Sequence, residues 1–496
     1  MGWIFYVFYC CMAFNFIAII LLIFVEKAEP SVIAAWILLF AILPPVGFLC
    51  YLFFGSTLQL KFASRRYRLR DIERQYSATL GEQIKEMRSR EIVFNDPAVE
   101  PYRDMVVMNA RHGGAMYTQD NEVELFTNGP DKFRRMFAEM EEATESIDII
   151  YFIIKATDKV GRQLIELLAR KAAEGVKVRL CYDALGHPPN RRRDFDPIVA
   201  AGGQVYRYMP SAFTTLMQAN YRMHRKIVII DNRVAYTGGI NVGDDYMGEH
   251  PKKTPWRDSA VRITGTAVWL LKLRFLSDWT FVDQQHPGSR RARAGELELN
   301  YRPRRLEPAT HEPEPPPGRV GVQIVASGPD SRYQYMRDCY MKMATSARKY
   351  LYIQSPYYIP GESLQNAIIQ AAASGVDVRL MLPRVPDFAL LHAGSMSWAR
   401  DLLRSGVRVY IYDGFLHAKA WVIDDTVSSV GTTNVNLRSF SLNYEVNAAF
   451  YDTVFATRCR EAFDMDLGRC TELSIGTYSL PARTFQSLCR LGGPFM

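Results

Sequence analysis

The sequence predicts an α/β protein of two repeated halves. Each half is a mixed sheet flanked by helices, the two form one active site at their interface, and a two-helix transmembrane hairpin precedes them. Three observations carry this reading. One short motif occurs twice at identical spacing, a strand–helix–strand signature repeats beside it, and residues 1–60 hold two long uncharged stretches. A chain of 496 residues is ample for two packed halves and an anchor.

Trp3 to Val25 and Ser31 to Leu60 contain no charged residue, and each exceeds the roughly 20 apolar residues that span a bilayer. Only Glu26-Lys27-Ala28-Glu29-Pro30 separates them, so residues 1–60 read as a tight hairpin. The first run is too long for a cleaved signal peptide and no basic segment precedes it. Lys61, Arg65, Arg66, Arg68 and Arg70 follow, which by the positive-inside bias puts the rest of the chain in the cytoplasm. Near anionic headgroups each of these cations contributes about 1 kcal/mol. A solvated helix that only sets topology would carry the same charges, and both readings can hold.

Residues 61–105 read as a basic linker helix and 106–282 as the first half. That half contains a strand at Ile147 to Ile154, an amphipathic helix at Arg162 to Glu174 and a strand at Val176 to Tyr182. Residues 283–320, with Pro313 to Pro317, read as an extended Pro- and Arg-rich spacer. The second half, 321–496, repeats the series at Tyr350 to Gln354, Ser363 to Ser374 and Val376 to Leu382. Gly175-Val176 and Gly375-Val376 open the same element twice.

The repeated motif carries the chemistry. His224, Lys226, Asp231, Gly238 and Asn241 recur as His417, Lys419, Asp424, Gly431 and Asn434 at the same offsets. Met223 to Ile230 and Leu416 to Ile423 read as buried strands on which His and Lys share a face. Asp231-Asn232 and Asp424-Asp425 end them in turns. The glycines let backbone approach a ligand, and Asn241 and Asn434 present amides to the same point. Imidazole, ammonium and amide around one point suit an anion with several oxygens, foremost phosphate. Two such halves offer one histidine as nucleophile and the other as acid and base, with the lysines and asparagines holding the non-bridging oxygens. Asp231 and Asp424, at odd spacing from the histidines, take a supporting part. A structurally satisfied buried histidine would explain one copy, but not two copies with matched Gly and Asn.

On these residues the chain resembles the phospholipase D superfamily, marked by a duplicated H-x-K-x4-D followed by G-[SG]-x-N. Gly239 and Thr432 stand where that family often has Ser. Arg438-Ser439-Phe440, Asn443 and Glu445 resemble its R-S-x3-N-x-E run. The resemblance implies that Glu445 orients a catalytic histidine, and that Asp258 is its first-half counterpart, though its distance in sequence from His224 is longer. It also implies a phosphohistidine mechanism with His224 as nucleophile and His417 as acid/base, roles that near-symmetry leaves interchangeable. Pro44-Pro45-Val46-Gly47 with Tyr51 and Gly55, and Ser355-Pro356-Tyr357-Tyr358-Ile359-Pro360, are similar to bacterial cardiolipin synthases. The second segment either lines the pocket or is a Pro-fixed turn, and Tyr151-Phe152 holds the related place in the first half.

The resemblance covers essentially the whole chain. It implies a multi-pass enzyme of the bacterial cell membrane that converts two phosphatidylglycerol molecules to cardiolipin and glycerol. Its partners would be these lipids and the bilayer. A phospholipase D using water, a membrane-anchored nuclease and a non-catalytic scaffold are the rival readings, and the intact motifs argue against the last.

Charge and cysteine usage set limits. The net charge of +8 is modest, and Arg191-Arg192-Arg193 reads as a solvated loop or the border of a lipid entrance. No zinc finger or interleaved aromatic–basic platform appears, so no nucleic acid is expected as partner. Of the eight Cys, Cys10, Cys11 and Cys50 lie in the apolar stretches. The rest lack metal-ligand spacing and read as reduced thiols. No cofactor and no metal is expected, because two lysines supply the positive charge. The D-G-x2-A-R core of metal-dependent enzymes that use a CDP-activated lipid is missing. Oligomeric state leaves no mark in the sequence.

Overall fold

The computed structural model describes residues 2–25, 30–44, 46–54, 70–186, 192–209, 221–250, 253–283, 318–476 and 478–491. Lys61, Arg65, Arg66, Arg68, residues 26–29, Pro45, Gly55, Arg191 and residues 284–317 lie outside them.

The first apolar stretch forms the helix Gly2–Val25, which carries no charged residue at either end. The second does not form one long helix. It divides into Pro30–Ile42 and Val46–Phe54, because Pro44 and Pro45 cannot continue the hydrogen-bond ladder and disfavour helical backbone just before them. Ala18, Leu22, Trp36, Phe40 and Tyr51 pack these helices together, and Asn15 Nδ2 donates to Phe40 O at 2.8 Å. Counted over the described residues, no helix is long and apolar enough to cross a membrane. Among the described residues the two apolar stretches therefore form three helices rather than the two expected.

The helix Arg70–Arg88 leads to Arg103–Gly113 and the strand Tyr117–Asn121. Gln83 fixes that strand's start, donating to Tyr117 O and accepting from Tyr117 N, both at 2.8 Å. Although it lies within residues 106–282, this strand pairs antiparallel with Val320–Ser327 at the edge of the second half's sheet.

Among the described residues the first sheet has seven strands, in the order Val123–Phe126, Ala260–Thr264, Val234–Gly238, Ile227–Ile230, Ser146–Tyr151, Lys177–Asp183 and Gln204–Tyr208. The last three run parallel and the others antiparallel. The second sheet repeats this around Val427–Gly431, Ala420–Ile423, Tyr350–Gln354, Asp377–Pro383 and Arg408–Tyr412. The helices Lys159–Ala173 and Glu362–Ala373 are the predicted crossovers. A parallel pair needs such a connection, and its apolar stripe covers the sheet.

One apolar cluster joins the halves. It takes Ile150, Ile227 and Val261 from the first sheet, Val422, Val446 and Phe450 from the second, and Leu271 and Phe275 of the helix Thr266–Asp283. Separate clusters cover the outer faces.

Candidate active site

Two short cross-half ladders build the site through their register. Arg222 and Met223 pair in parallel with Asn443 and Tyr444. Phe415 and Leu416 pair in parallel with Trp256 and Arg257. Each ladder ends one residue before a motif histidine on one side and one residue before an acid on the other. His224 therefore meets Glu445, with Nδ1 2.8 Å from Oε2, and His417 meets Asp258, with Nδ1 2.6 Å from Oδ2. The acids cross between halves. The expected same-half pairing of Asp258 with His224 is corrected, and the long sequence distance between them ceases to matter.

The same ladders correct the expected unbroken strands. The regular first-half strand begins only at Ile227, and its second-half equivalent at Ala420. The chain changes sheets at His224 to Lys226 and at His417 to Lys419, so both motifs sit at the seam. Lys226 Nζ donates to His224 O at 2.9 Å, and Lys419 repeats the bond to His417 O.

All six side chains are buried, and the electrostatics follow. Burial opposes ionisation of Glu445, but His224 and Lys226 outweigh it and hold the carboxyl below its usual range. His417 and Lys419 do the same for Asp258. Burial pushes His224 down to about 4, with the Lys226 charge adding to it against the pull of Glu445. His417 is lowered by burial and then by Lys419. Burial takes Lys226 down to about 7 and Lys419 to about 8. A neutral imidazole giving its Nδ1 proton to an ionised carboxylate keeps its Nε2 lone pair free.

Asp231 and Asp424, the motif members given a supporting part, serve the scaffold. Asp231 accepts from the backbone N–H of Thr144, Glu145 and Ser146 at 2.8–2.9 Å. Asp424 accepts from Arg348, Lys349 and Tyr350 at 2.7–2.9 Å. Each caps the start of the neighbouring strand. Asp231-Asn232 and Asp424-Asp425 all have positive φ of 50–55°, a tight turn that Asp and Asn tolerate.

The asparagines are less free than expected. Asn241 Nδ2 donates to Tyr246 OH at 3.0 Å, and its Oδ1 accepts from Ile153 N at 3.2 Å. Asn434 is buried and its Oδ1 lacks a partner. The glycines make room for protein rather than ligand. A Cβ on Gly239 would lie 2.1 Å from Asp258 Oδ1, and one on Gly431 would lie 2.1 Å from Asn447 Oδ1. Thr432, at the position matching Gly239, instead gives its hydroxyl to Glu445 Oε2 at 2.5 Å.

Aromatic walls differ between the two histidines. Phe152 meets His224 edge-on at 4.9 Å between centroids. His417 stacks on Phe415 at 5.7 Å and is flanked by Trp256 at 6.0 Å and Tyr246 at 6.5 Å. In Ser355–Pro360, Ser355 Oγ donates to Tyr357 O and accepts from Val435 N. Tyr358 enters the core, while Tyr357 OH donates to Asp387 at 3.2 Å. Sequence reading missed Tyr246, Trp256, Phe415, Lys253 and Asp387. Only the adjacency of Trp256 to Asp258 and of Phe415 to His417 offered a signal.

A family model for the cardiolipin synthase, PLD-like domain matches residues 136–251 and 340–467, one copy in each half. The major cardiolipin synthase of Bacillus subtilis (strain 168) is 38% identical over 490 residues, 97% of each chain. The chain belongs to the cardiolipin synthase family. A cardiolipin synthase of Listeria monocytogenes (serotype 4b, strain CLIP80459) is 37% identical over the full length of both chains. A phospholipase D–nuclease N-terminal model matches residues 13–56 of this cardiolipin synthase family member. The crystal structure of a phosphatidylserine synthase from Haemophilus influenzae Rd KW20 shares the fold, with a TM-score of 0.57 at 13% identity. It covers 75% of this chain and 95% of that one.

Proposed function

We propose that the protein is a phosphatidyltransferase that makes cardiolipin and glycerol from two phosphatidylglycerol molecules. One observation carries this: two buried imidazoles, each within hydrogen-bond reach at Nδ1 of a carboxylate of the other half, beside two lysines. His224 Nε2 attacks the phosphorus of the first lipid. The bond from phosphorus to glycerol oxygen breaks, and His417 gives that oxygen a proton, its imidazolium favoured by Asp258 and the bound anion. The hydroxyl of a second phosphatidylglycerol then loses its proton to His417 and displaces His224 from phosphorus. Lys226 and Lys419 neutralise the non-bridging oxygens, and the side-chain amide of Asn434 can donate an N–H to them. One phosphodiester replaces another, so no nucleotide is consumed.

The apolar N-terminal helices anchor the enzyme to the bacterial cell membrane in this reading. Gly2–Val25 is uncharged throughout its 24 residues. Trp3 and Phe24 near its ends are 83% and 80% exposed, as lipid-facing rings would be. The basic residues after Leu60 keep the catalytic halves cytoplasmic. Residues 106–282 and 321–496 are the two functional halves, with Tyr117–Asn121 lent to the second.

The test is a product assay on purified protein in micelles of phosphatidylglycerol. Cardiolipin and glycerol should appear in equal amounts. Phosphatidic acid without cardiolipin would make the protein a hydrolase, and no lipid turnover would overturn the proposal.

The pH profile follows from the same groups. His224 must be neutral, so kcat/KM should climb as pH rises through about 4. It should fall on the alkaline side as His417 loses the proton it donates and Lys226 loses its charge near 7. The alkaline limb of kcat should lie higher, because a bound phosphodiester anion holds protons on its neighbours. A kcat/KM flat between pH 5 and 9 would contradict these assignments.

A further inference from the structure

The surroundings of the two histidines are not equivalent, and the difference suggests where the acceptor lipid is read. Lys253, from the first half, reaches across to Asp387 of the second. Its Nζ lies 4.8 Å from the centroid of Phe415, which also lies 5.7 Å from the His417 ring. Trp256 continues the wall, 6.0 Å from the same ammonium. Asp387 also accepts from Tyr357 OH at 3.2 Å. The ion pair is partly open, with side chains 21% and 32% exposed. An ammonium with three donors here gives one to Asp387 and keeps others for a ligand.

We propose that Lys253 binds the phosphate of the acceptor phosphatidylglycerol, with Asp387 and Tyr357 holding it in position. The inference rests on the transferase reading above. An acceptor hydroxyl at His417 carries its own phosphate one glycerol away, and Lys253 stands one aromatic ring beyond that histidine. The lysines of the motif cannot serve it, because they hold the phosphate being transferred. Water and free glycerol have no such group, so a cation at this point favours a lipid acceptor over both. The Trp256–Phe415 wall gives the glycerol carbons an apolar surface.

Two reactions separate the acceptor's phosphate from the chemistry. Cardiolipin synthesis uses a phosphorylated acceptor, whereas exchange of labelled glycerol into phosphatidylglycerol uses the same histidines with an acceptor that has none. In Lys253→Met the ratio of cardiolipin synthesis to glycerol exchange should fall at least tenfold, the scale of one lost charge-assisted bond. The loss should appear in KM for the acceptor, and Lys253→Arg should restore most of the ratio. Both reactions falling together would make Lys253 part of the general scaffold, and an unchanged ratio would remove it from acceptor recognition. If wild-type protein catalyses neither reaction, the transferase reading itself fails.

Discussion

Glu445→Gln is expected to lower kcat by about 10³–10⁴-fold, the scale seen when the carboxylate behind a catalytic histidine is neutralised. Attack by His224 leaves a positive charge on the ring, and Glu445, 2.8 Å from Nδ1, is the anion beside it. The fold should tolerate the change. Oε1 accepts from Asn443 Nδ2, whose own Oδ1 has no partner, so a flipped Asn443 can accept from the new amide. Asp258→Asn should cost comparable activity but also stability. Asp258 accepts from Ser259 N at 2.7 Å and faces His417 Nδ1, so the amide nitrogen either opposes the Ser259 N–H or drives His417 into the tautomer whose Nδ1 accepts. One buried mismatch of that kind costs about 1–3 kcal/mol. Thermal melting beside the kinetics checks both statements. Near-wild-type turnover in Glu445→Gln would remove this pair from the mechanism.

His224→Ala and His417→Ala should each reduce cardiolipin synthesis by about 10⁴-fold or more, since groups acting as one unit fail together. A donor lipid with a nitrophenolate leaving group separates their roles, because that group departs without a proton. His417→Ala should then still form a phosphatidyl–enzyme adduct and accumulate it, lacking the base that activates the acceptor. His224→Ala should form none. Mass spectrometry of the acid-quenched protein reads the adduct, and its appearance only in His224→Ala would exchange the two assignments.

Much of this site was legible because the duplication repeats at fixed spacing. His224, Lys226, His417, Lys419, Glu445 and Asp258 do converge, and the strand–helix–strand elements lie where apolar periodicity put them. What sequence could not carry is pairing across the seam. His224 and Glu445 are 221 positions apart and His417 and Asp258 159 apart. Only the register of the ladders at Arg222 and Phe415 decides which acid serves which ring. What the motif aspartates support was hidden for a related reason, because a residue's place in a motif does not reveal the neighbouring strand whose N–H groups it caps. Gly431 was misread similarly, since its missing side chain makes room for Asn447, which arrives from another strand.

The strand Tyr117–Asn121 has a consequence for how the chain comes together. Asn121 bonds Val320 O across 199 positions, so on a ribosome this segment emerges long before the strand that receives it. Until Val320–Ser327 and Asn443–Tyr451 are made, it has an open edge and no sheet to join. Loop closure over such a span is slow. The first half is synthesised early but supplies neither Glu445 for its histidine nor a home for its leading strand. A nascent or truncated chain thus emerges chemically silent beside the lipids it will consume, and completion of the last sheet arms it.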